Sequence, residues 1–255
     1  MADVEDKSLP ILGILGLGSF GRLMVEHLSS HFRLYGFDPA KAKGDAHECV
    51  TLADLPTVAN CPIVALAIPV NEYGATIAAI RPHLRPGTLV LDVGSVKAVP
   101  AAIMKRDLPD HVDIVATHPL FGPKSVREGI AGLKIVVCPL RGRRGPQVAA
   151  FLRKALGLRV IVTTPEAHDR EAATVQGLTH LIAKLLLGMG PLPTQMTTPS
   201  FDTLLRAVEM VRHDAPEVFQ AIERANPYSY DVRKRFLRLA VELDASLAQF
   251  VGEGP

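Results

Sequence analysis

Residues 10–21 read Pro10-Ile11-Leu12-Gly13-Ile14-Leu15-Gly16-Leu17-Gly18-Ser19-Phe20-Gly21. An apolar run ends in G-x-G-x-x-G, and an amphipathic stretch, Phe20–His31, follows it. The glycine pattern alone is weak. Between a strand-like run and a helix-like stretch it is the fingerprint of a phosphate-binding turn. Gly16 permits the tight turn, Gly18 lets a pyrophosphate approach the backbone, and Gly21 lets helix and strand pack closely. The helix N-terminus would face the phosphates with its unpaired N–H groups. Leu17, Ser19 and Phe20 complete the turn and are expected at the cofactor with the three glycines.

Working outward, further apolar runs are Arg33–Phe37, Pro62–Ile68, Thr88–Val93, Val112–Thr117, Lys134–Cys138 and Arg159–Thr163. Most lack polar alternation, as strands buried on both faces do. Helical stretches such as Val70–Leu84 fit between several of them. Alternating elements predict an α/β fold, a Rossmann-type mostly parallel sheet. Asp38 ends the second run, 22 residues after Gly16. An acidic side chain there accepts hydrogen bonds from the adenosine ribose and repels a 2′-phosphate. We therefore expect NAD rather than NADP, although Lys41 and Lys43 could reach a phosphate. Ala67, Ile68 and Pro69 close the next run and are also assigned to the cofactor, because ligands bind outside the carboxyl ends of strands.

The chain changes character near residue 165. Fourteen of the 20 prolines lie between Pro10 and Pro165, and no glycine occurs from Pro191 to Val251. Beyond that point apolar residues recur at three- and four-residue spacing. Ala172, Val175, Leu178, Ile182, Leu185 and Leu186 form one stripe; Val232, Phe236, Leu239, Leu243, Leu247 and Phe250 form another. Such stripes need cover. We expect a dinucleotide-binding domain over 8–164 and a smaller all-α C-terminal domain over 165–255, paired with a second copy as a homodimer. The basic run Arg141–Gly145 reads as a solvated turn.

Composition narrows the partners. The 255 residues carry a net charge of +2, which gives no electrostatic case for nucleic acid. Aromatics are 5% with no Trp, so a base-stacking surface is not expected either. Cys49, Cys61 and Cys138 form no CxxC pair, which suits a reducing compartment. The acidic N-terminus has no apolar signal region, and no apolar run approaches about 18 residues. A cytoplasmic protein with neither membrane span nor metal site is the expectation.

Two segments end successive strand runs: Asp92-Val93-Gly94-Ser95-Val96-Lys97 and Thr117-His118-Pro119-Leu120-Phe121-Gly122-Pro123. Taking hydride from a carbinol carbon requires its O–H proton to leave, and a neutral imidazole near pH 7 suits that work. His118 is the candidate base. Ser95 could orient the imidazole or the substrate hydroxyl. Gln176 and His180 are four apart, so they share a helix face among apolar neighbours.

These motifs, GLGSFG, DVGSVK, THPLFGP, His168-Asp169 and Gln176-Gly177-Leu178-Thr179-His180, resemble the prephenate/arogenate dehydrogenase family of tyrosine biosynthesis. The match in order and spacing covers roughly residues 10–230. The run Thr203–Glu209 is most similar to compact plant-type arogenate dehydrogenases. The resemblance implies that a cyclohexadienol bearing a ring carboxylate loses hydride from C4 to NAD and then CO2. His118 would accept the hydroxyl proton, and Ser95 would contact the hydroxyl. Gln176 and His180 would touch substrate, and Lys124 and Ser125 could hold a carboxylate, though Lys124 also reads as a solvated lysine. His168-Asp169 reads equally well as a helix cap.

Arogenate carries an ammonium where prephenate carries a keto group, so a fixed carboxylate would favour arogenate. By resemblance Asp214 holds that position. It also precedes Ala215-Pro216-Glu217, as a helix N-cap would. The sequence departs from many bacterial relatives where Asp202, not Arg, follows Phe201. Arg206, Arg212 or Lys124 would then have to hold the substrate carboxylate. A chain of this length leaves no room for a fused mutase or regulatory domain, so tyrosine feedback is expected at the active site. Other Rossmann-plus-helical oxidoreductases usually rely on a helix lysine or lack HPLFGP. A non-catalytic NAD sensor would not need His118, Ser95, Gln176 and His180 together.

Overall fold

The computed structural model describes residues 9–41, 48–123, 126 and 129–250. It divides into two compact units, 1–165 and 166–255.

Among the described residues of the first unit, eight strands form one sheet. They are β1 (Ile11–Leu15), β2 (Arg33–Phe37), β3 (Val50–Leu52), β4 (Ile63–Leu66), β5 (Leu89–Asp92), β6 (Asp113–Pro119), β7 (Lys134–Arg141) and β8 (Arg159–Val162). The order is β3-β2-β1-β4-β5-β6-β7-β8. Neighbours are parallel except β6 and β7. The mixed sheet agrees with the Rossmann-type expectation. Helices α1 (Ser19–Leu28), α2 (Leu55–Ala59), α3 (Tyr73–Ile80), α4 (Ala98–Asp107) and α5 (Gly145–Lys154) connect the strands. Helix α3 is shorter than the expected Val70–Leu84, because Pro82 has no N–H for the carbonyl of Ala78; 3-10 turns flank it at Val70–Glu72 and Arg81–His83.

Both sheet faces are packed. Val64, Leu66, Val90, Ile114 and Ala116 join Tyr73, Ile77, Ile80 and Met104 on the α3/α4 face. Leu12, Ile14 and Leu34 join Val25 and Leu28 of α1 on the other. These continuous apolar strands are what burial on both sides requires. Arg141 is more than a solvated turn residue. Its guanidinium donates to the carbonyls of Leu108, Pro109 and Val112, tying the end of β7 to the turn before β6.

The second unit holds α6 (Pro165–Ala172, which begins at the last residue of the first unit), α7 (Leu178–Gly188), α8 (Pro199–Val211), α9 (Pro216–Gln220) and α10 (Ser229–Phe250). The expected stripe from Ala172 to Leu186 does not lie on one regular α-helix: a π-helical turn, Ala173–Gly177, interrupts it, and a second π turn, Ala221–Ala225, follows α9. π turns commonly mark functional positions. On α10 the stripe is open: Leu239, Leu243 and Leu247 are 49%, 60% and 58% exposed.

Candidate active site

The glycine turn is built as its spacing predicts. Gly16 has φ +95°, and a Cβ there would lie 2.4 Å from the carbonyl oxygen of Ala67. A Cβ at Gly21 would lie 2.1 Å from the oxygen of Gly16. Gly18 differs: a Cβ there meets nothing within 4 Å. Two glycines are thus required by the chain itself, and the third leaves open space at the N-terminus of α1. Leu17 sends its side chain into the core, and its N–H donates to Asp38 Oδ2 at 2.8 Å. Asp38 Oδ1 accepts the Ala40 N–H at 2.9 Å. Each oxygen keeps a lone pair for a ribose hydroxyl. Ala67 and Ile68 lie against Gly16, and Pro69 follows them. Ser19 is exposed in the first turn of α1. Phe20 turns elsewhere, tilted against Phe121 with centroids 6.4 Å apart. These groups can hold a dinucleotide: an open backbone approach, a helix N-terminus and an acidic ribose acceptor.

Beside this turn lie the carboxyl ends of β5 and β6. The last register pair between them is Asp92 with Ala116. Ser95 is half-buried in the turn after β5; His118, 3% exposed, is two residues beyond the pair on β6. Strand alternation puts His118 on the same face as Ile114 and Ala116, the face of α3 and α4. Its neighbours Thr117 and Pro119 point to the opposite face, where they line a cavity of about 290 Å³ between α1 and α5. That cavity is almost wholly apolar, walled by residues such as Leu12, Leu28, Val148 and Phe151. It offers little for the polar chemistry of His118. Lys124 and Ser125 lie outside the described residues.

Sequence reasoning gave no role to the charges beneath this edge. Asp92 and Lys97 are both 0% exposed and form an ion pair. Asp92 Oδ2 also accepts from the Tyr73 hydroxyl at 3.0 Å and the Gly94 N–H at 3.1 Å. Burial, and then the Asp92 charge, push the Tyr73 phenol well above its ordinary pKa. A signal for the pair existed: an acid closing an apolar run with a lysine five residues on. Nothing in the sequence pointed to Tyr73.

In the second unit, three expected residues come together. His180 Nε2 faces Asp214 Oδ2 at 3.1 Å, and His180 Nδ1 faces the carbonyl oxygen of Gln176 at 2.9 Å. Gln176 belongs to the π turn and His180 to α7, so their shared helix face is not a regular one. Asp214 does not cap α9. The N-cap is Ala215, with no side-chain cap bond, because the Asp214 carboxylate is directed at His180 instead. His168 and Asp169 are buried and paired at 2.7 Å, and the Asp169 carbonyl accepts from Asn226. Arg212 pairs with Glu209 at the surface, and Arg206 donates to Thr203. A part-buried Glu223–Arg233 pair was not expected from the sequence.

The chain matches the family described as "Prephenate dehydrogenase, nucleotide-binding domain" over residues 28–158. It is 34% identical over 244 residues to arogenate dehydrogenase 2 of Arabidopsis thaliana, covering 88% of this chain and 66% of that protein. It is 25% identical over 248 residues to a probable arogenate/prephenate dehydrogenase of Methanocaldococcus jannaschii, covering 91% and 54%. The chain thus spans between about half and two thirds of these relatives. Its fold superimposes on prephenate dehydrogenase from A. aeolicus, solved with hydroxyphenyl propionate and NAD+, with a TM-score of 0.74 at 19% identity, covering 98% of this chain and 94% of that one. With the glycine turn, the strand-end His118 and the family match over more than half its length, this chain belongs to the prephenate dehydrogenase family.

Proposed function

We propose that the protein is an NAD-dependent arogenate dehydrogenase that forms tyrosine by oxidative decarboxylation. Residues 8–164 bind the dinucleotide, and residues 165–255 supply substrate contacts and the dimer interface. The observation that carries the choice of substrate is Asp214, whose carboxylate stands against His180 rather than capping a helix. A fixed carboxylate complements the ammonium of arogenate; prephenate, with a keto group there, offers it no positive charge. The name of the plant relative agrees.

Gly16–Gly21 and Asp38 hold the dinucleotide, with Ala67, Ile68 and Pro69 beside it. When bound, NAD accepts the hydride leaving C4 of the ring. His118 accepts the proton of the 4-hydroxyl, and Ser95 orients that hydroxyl. The ring carboxylate departs as CO2, its bonding pair makes the ring aromatic, and the phenolate so formed takes the proton back from His118, so the protein chiefly positions and polarises groups. Gln176, His180 and Asp214 fix the side chain, and Lys124 and Ser125 a carboxylate. A dual-specificity reading, arogenate and prephenate together, draws support from the same pair: Asp214 already has His180 as a partner at 3.1 Å, which lowers its demand for a second one.

The open face of α10 supports a homodimer. Three widely spaced cysteines without a CxxC pair suit a reducing cytoplasm, and no described helix is long and apolar enough to cross a membrane. The deciding experiment follows NADH formation with arogenate, prephenate and 3-hydroxy acids, each with NAD and NADP. Turnover of arogenate with NAD is expected. Turnover of only 3-hydroxy acids, or of nothing, overturns the assignment; a higher kcat/KM for prephenate overturns the role of Asp214. Light scattering on the eluted protein checks the dimer.

A further inference from the structure

Every polar group of Thr117 is held by the Asp92–Lys97 pair. The Thr117 N–H donates to Asp92 Oδ1 at 3.2 Å, and its hydroxyl donates to the Asp92 carbonyl at 2.5 Å. Its own carbonyl accepts from Lys97 Nζ at 2.6 Å. That carbonyl belongs to the peptide joining Thr117 to His118. Both peptide planes flanking Thr117 are therefore fixed just beyond Asp92 and Ala116, where the β5–β6 ladder ends.

We propose that Asp92 and Lys97 are positioning residues for His118: the ion pair locks the Thr117 backbone and so sets the direction in which the imidazole leaves β6. The proposal rests on the dehydrogenase reading, in which His118 is the base. A purely stabilising role explains the pair poorly. Two charges with no exposed surface are costly to desolvate, and apolar residues of similar volume commonly stabilise as well or better. What apolar residues cannot do is hold an N–H and a C=O at once. Tyr73 and the Gly94 N–H hold the carboxylate in turn, so the clamp is anchored to α3 and to the turn carrying Ser95.

The test is the double variant D92N/K97M, which removes both charges and so leaves neither one buried alone. Melting temperature, NAD affinity, kcat, KM and the NMR signal of the His118 ring are measured. The melting temperature is expected to stay close to wild type. The His118 signal is expected to shift and broaden without cofactor present. With substrate, kcat is expected to fall by about 10- to 100-fold, as misplacement of a reacting group does, while KM and NAD affinity stay within about twofold. In an H118N background the same double change is expected to cost little further, because the pair acts through the ring. An unchanged His118 signal, or an equal loss of kcat in the presence and absence of His118, overturns the proposal. If wild type turns over neither arogenate nor prephenate, the dehydrogenase reading falls, while the ring signal still tests the clamp.

Discussion

Gly18 and Gly21 stand three residues apart in one turn, yet alanine at each should act on a different quantity. At Gly21 the new methyl would lie 2.1 Å from the Gly16 oxygen, a backbone atom that cannot swing aside. The start of α1 must move off the turn, at an overpacking cost of about 1–3 kcal/mol. In a protein of this size each kcal/mol lowers Tm by about 2–4 °C. At Gly18 the methyl meets nothing within 4 Å. Gly18 is the N-cap of α1, at φ −65° and ψ −162°. Alanine caps less well than glycine, by about 0.5–1 kcal/mol. It also loses less chain entropy on folding, by about 0.4–1 kcal/mol in the opposite direction. The two offset, so apo G18A should melt close to wild type. The methyl instead enters the open space that, in the proposed site, takes the pyrophosphate, and NAD affinity should then fall by on the order of tenfold or more, about 1.4 kcal/mol. Differential scanning fluorimetry with and without NAD separates the cases. Excess NAD at 100 times Kd stabilises by about 2.7 kcal/mol, and G18A should lose much of that gain while G21A begins from a lower Tm. Equal NAD-induced stabilisation of G18A and wild type would refute the role of Gly18. An apo G18A as unstable as G21A would refute the steric argument.

Other outcomes follow from the same geometry. His118→Asn should lower kcat by on the order of 10²–10⁴, the usual worth of a general base, and near-normal turnover removes His118 from the reaction. Asp214→Asn should move the arogenate:prephenate ratio of kcat/KM toward prephenate by roughly 10- to 100-fold, the worth of a charged hydrogen bond; an unchanged ratio leaves Asp214 only as the partner of His180. Asp38→Asn should raise NADP use relative to NAD, read as the ratio of the two kcat/KM values, and no change denies it a part in cofactor choice. The Tyr73 phenol is raised in the folded protein, so above about pH 10 the unfolded chain loses that proton and the folded one keeps it; stability should then fall as pH rises further. Tyr73→Phe should flatten that alkaline limb in denaturant titrations, and an identical limb places its cause elsewhere.

The sheet was legible because β1, β2, β4, β5, β6, β7 and β8 contain apolar runs of the right length, bounded by turns. Val50–Leu52 escaped because three residues carry no period. The glycine turn and Asp38 were legible as a spaced pattern whose geometry depends on the backbone alone. The π turns at Ala173–Gly177 and Ala221–Ala225 were not: Ala172, Val175, Leu178 and Ile182 keep ordinary three- and four-residue spacing in sequence across the first of them, so nothing marks the extra residue. Asp214 shows a further limit: its sequence context suits a cap, and only tertiary placement directs its carboxylate to His180. Lys97 and Asp92 were visible as letters, but their partner Thr117 lies on another strand, and long-range pairing has no local signature.

The reversal of β7 has a consequence for how this scaffold can diversify. Because β7 runs antiparallel to β6, β6 ends at Pro119 and β7 begins at Lys134 on the same, carboxyl edge of the sheet. Connections through α1, α3 and α4 cross back to the amino edge before the next strand begins. A connection between two strand ends on the same edge need not, so its length and composition can vary beside His118 without shifting any strand register. It offers evolution, or an engineer, a place to change the chemistry beside His118 while the parallel sheet stays fixed.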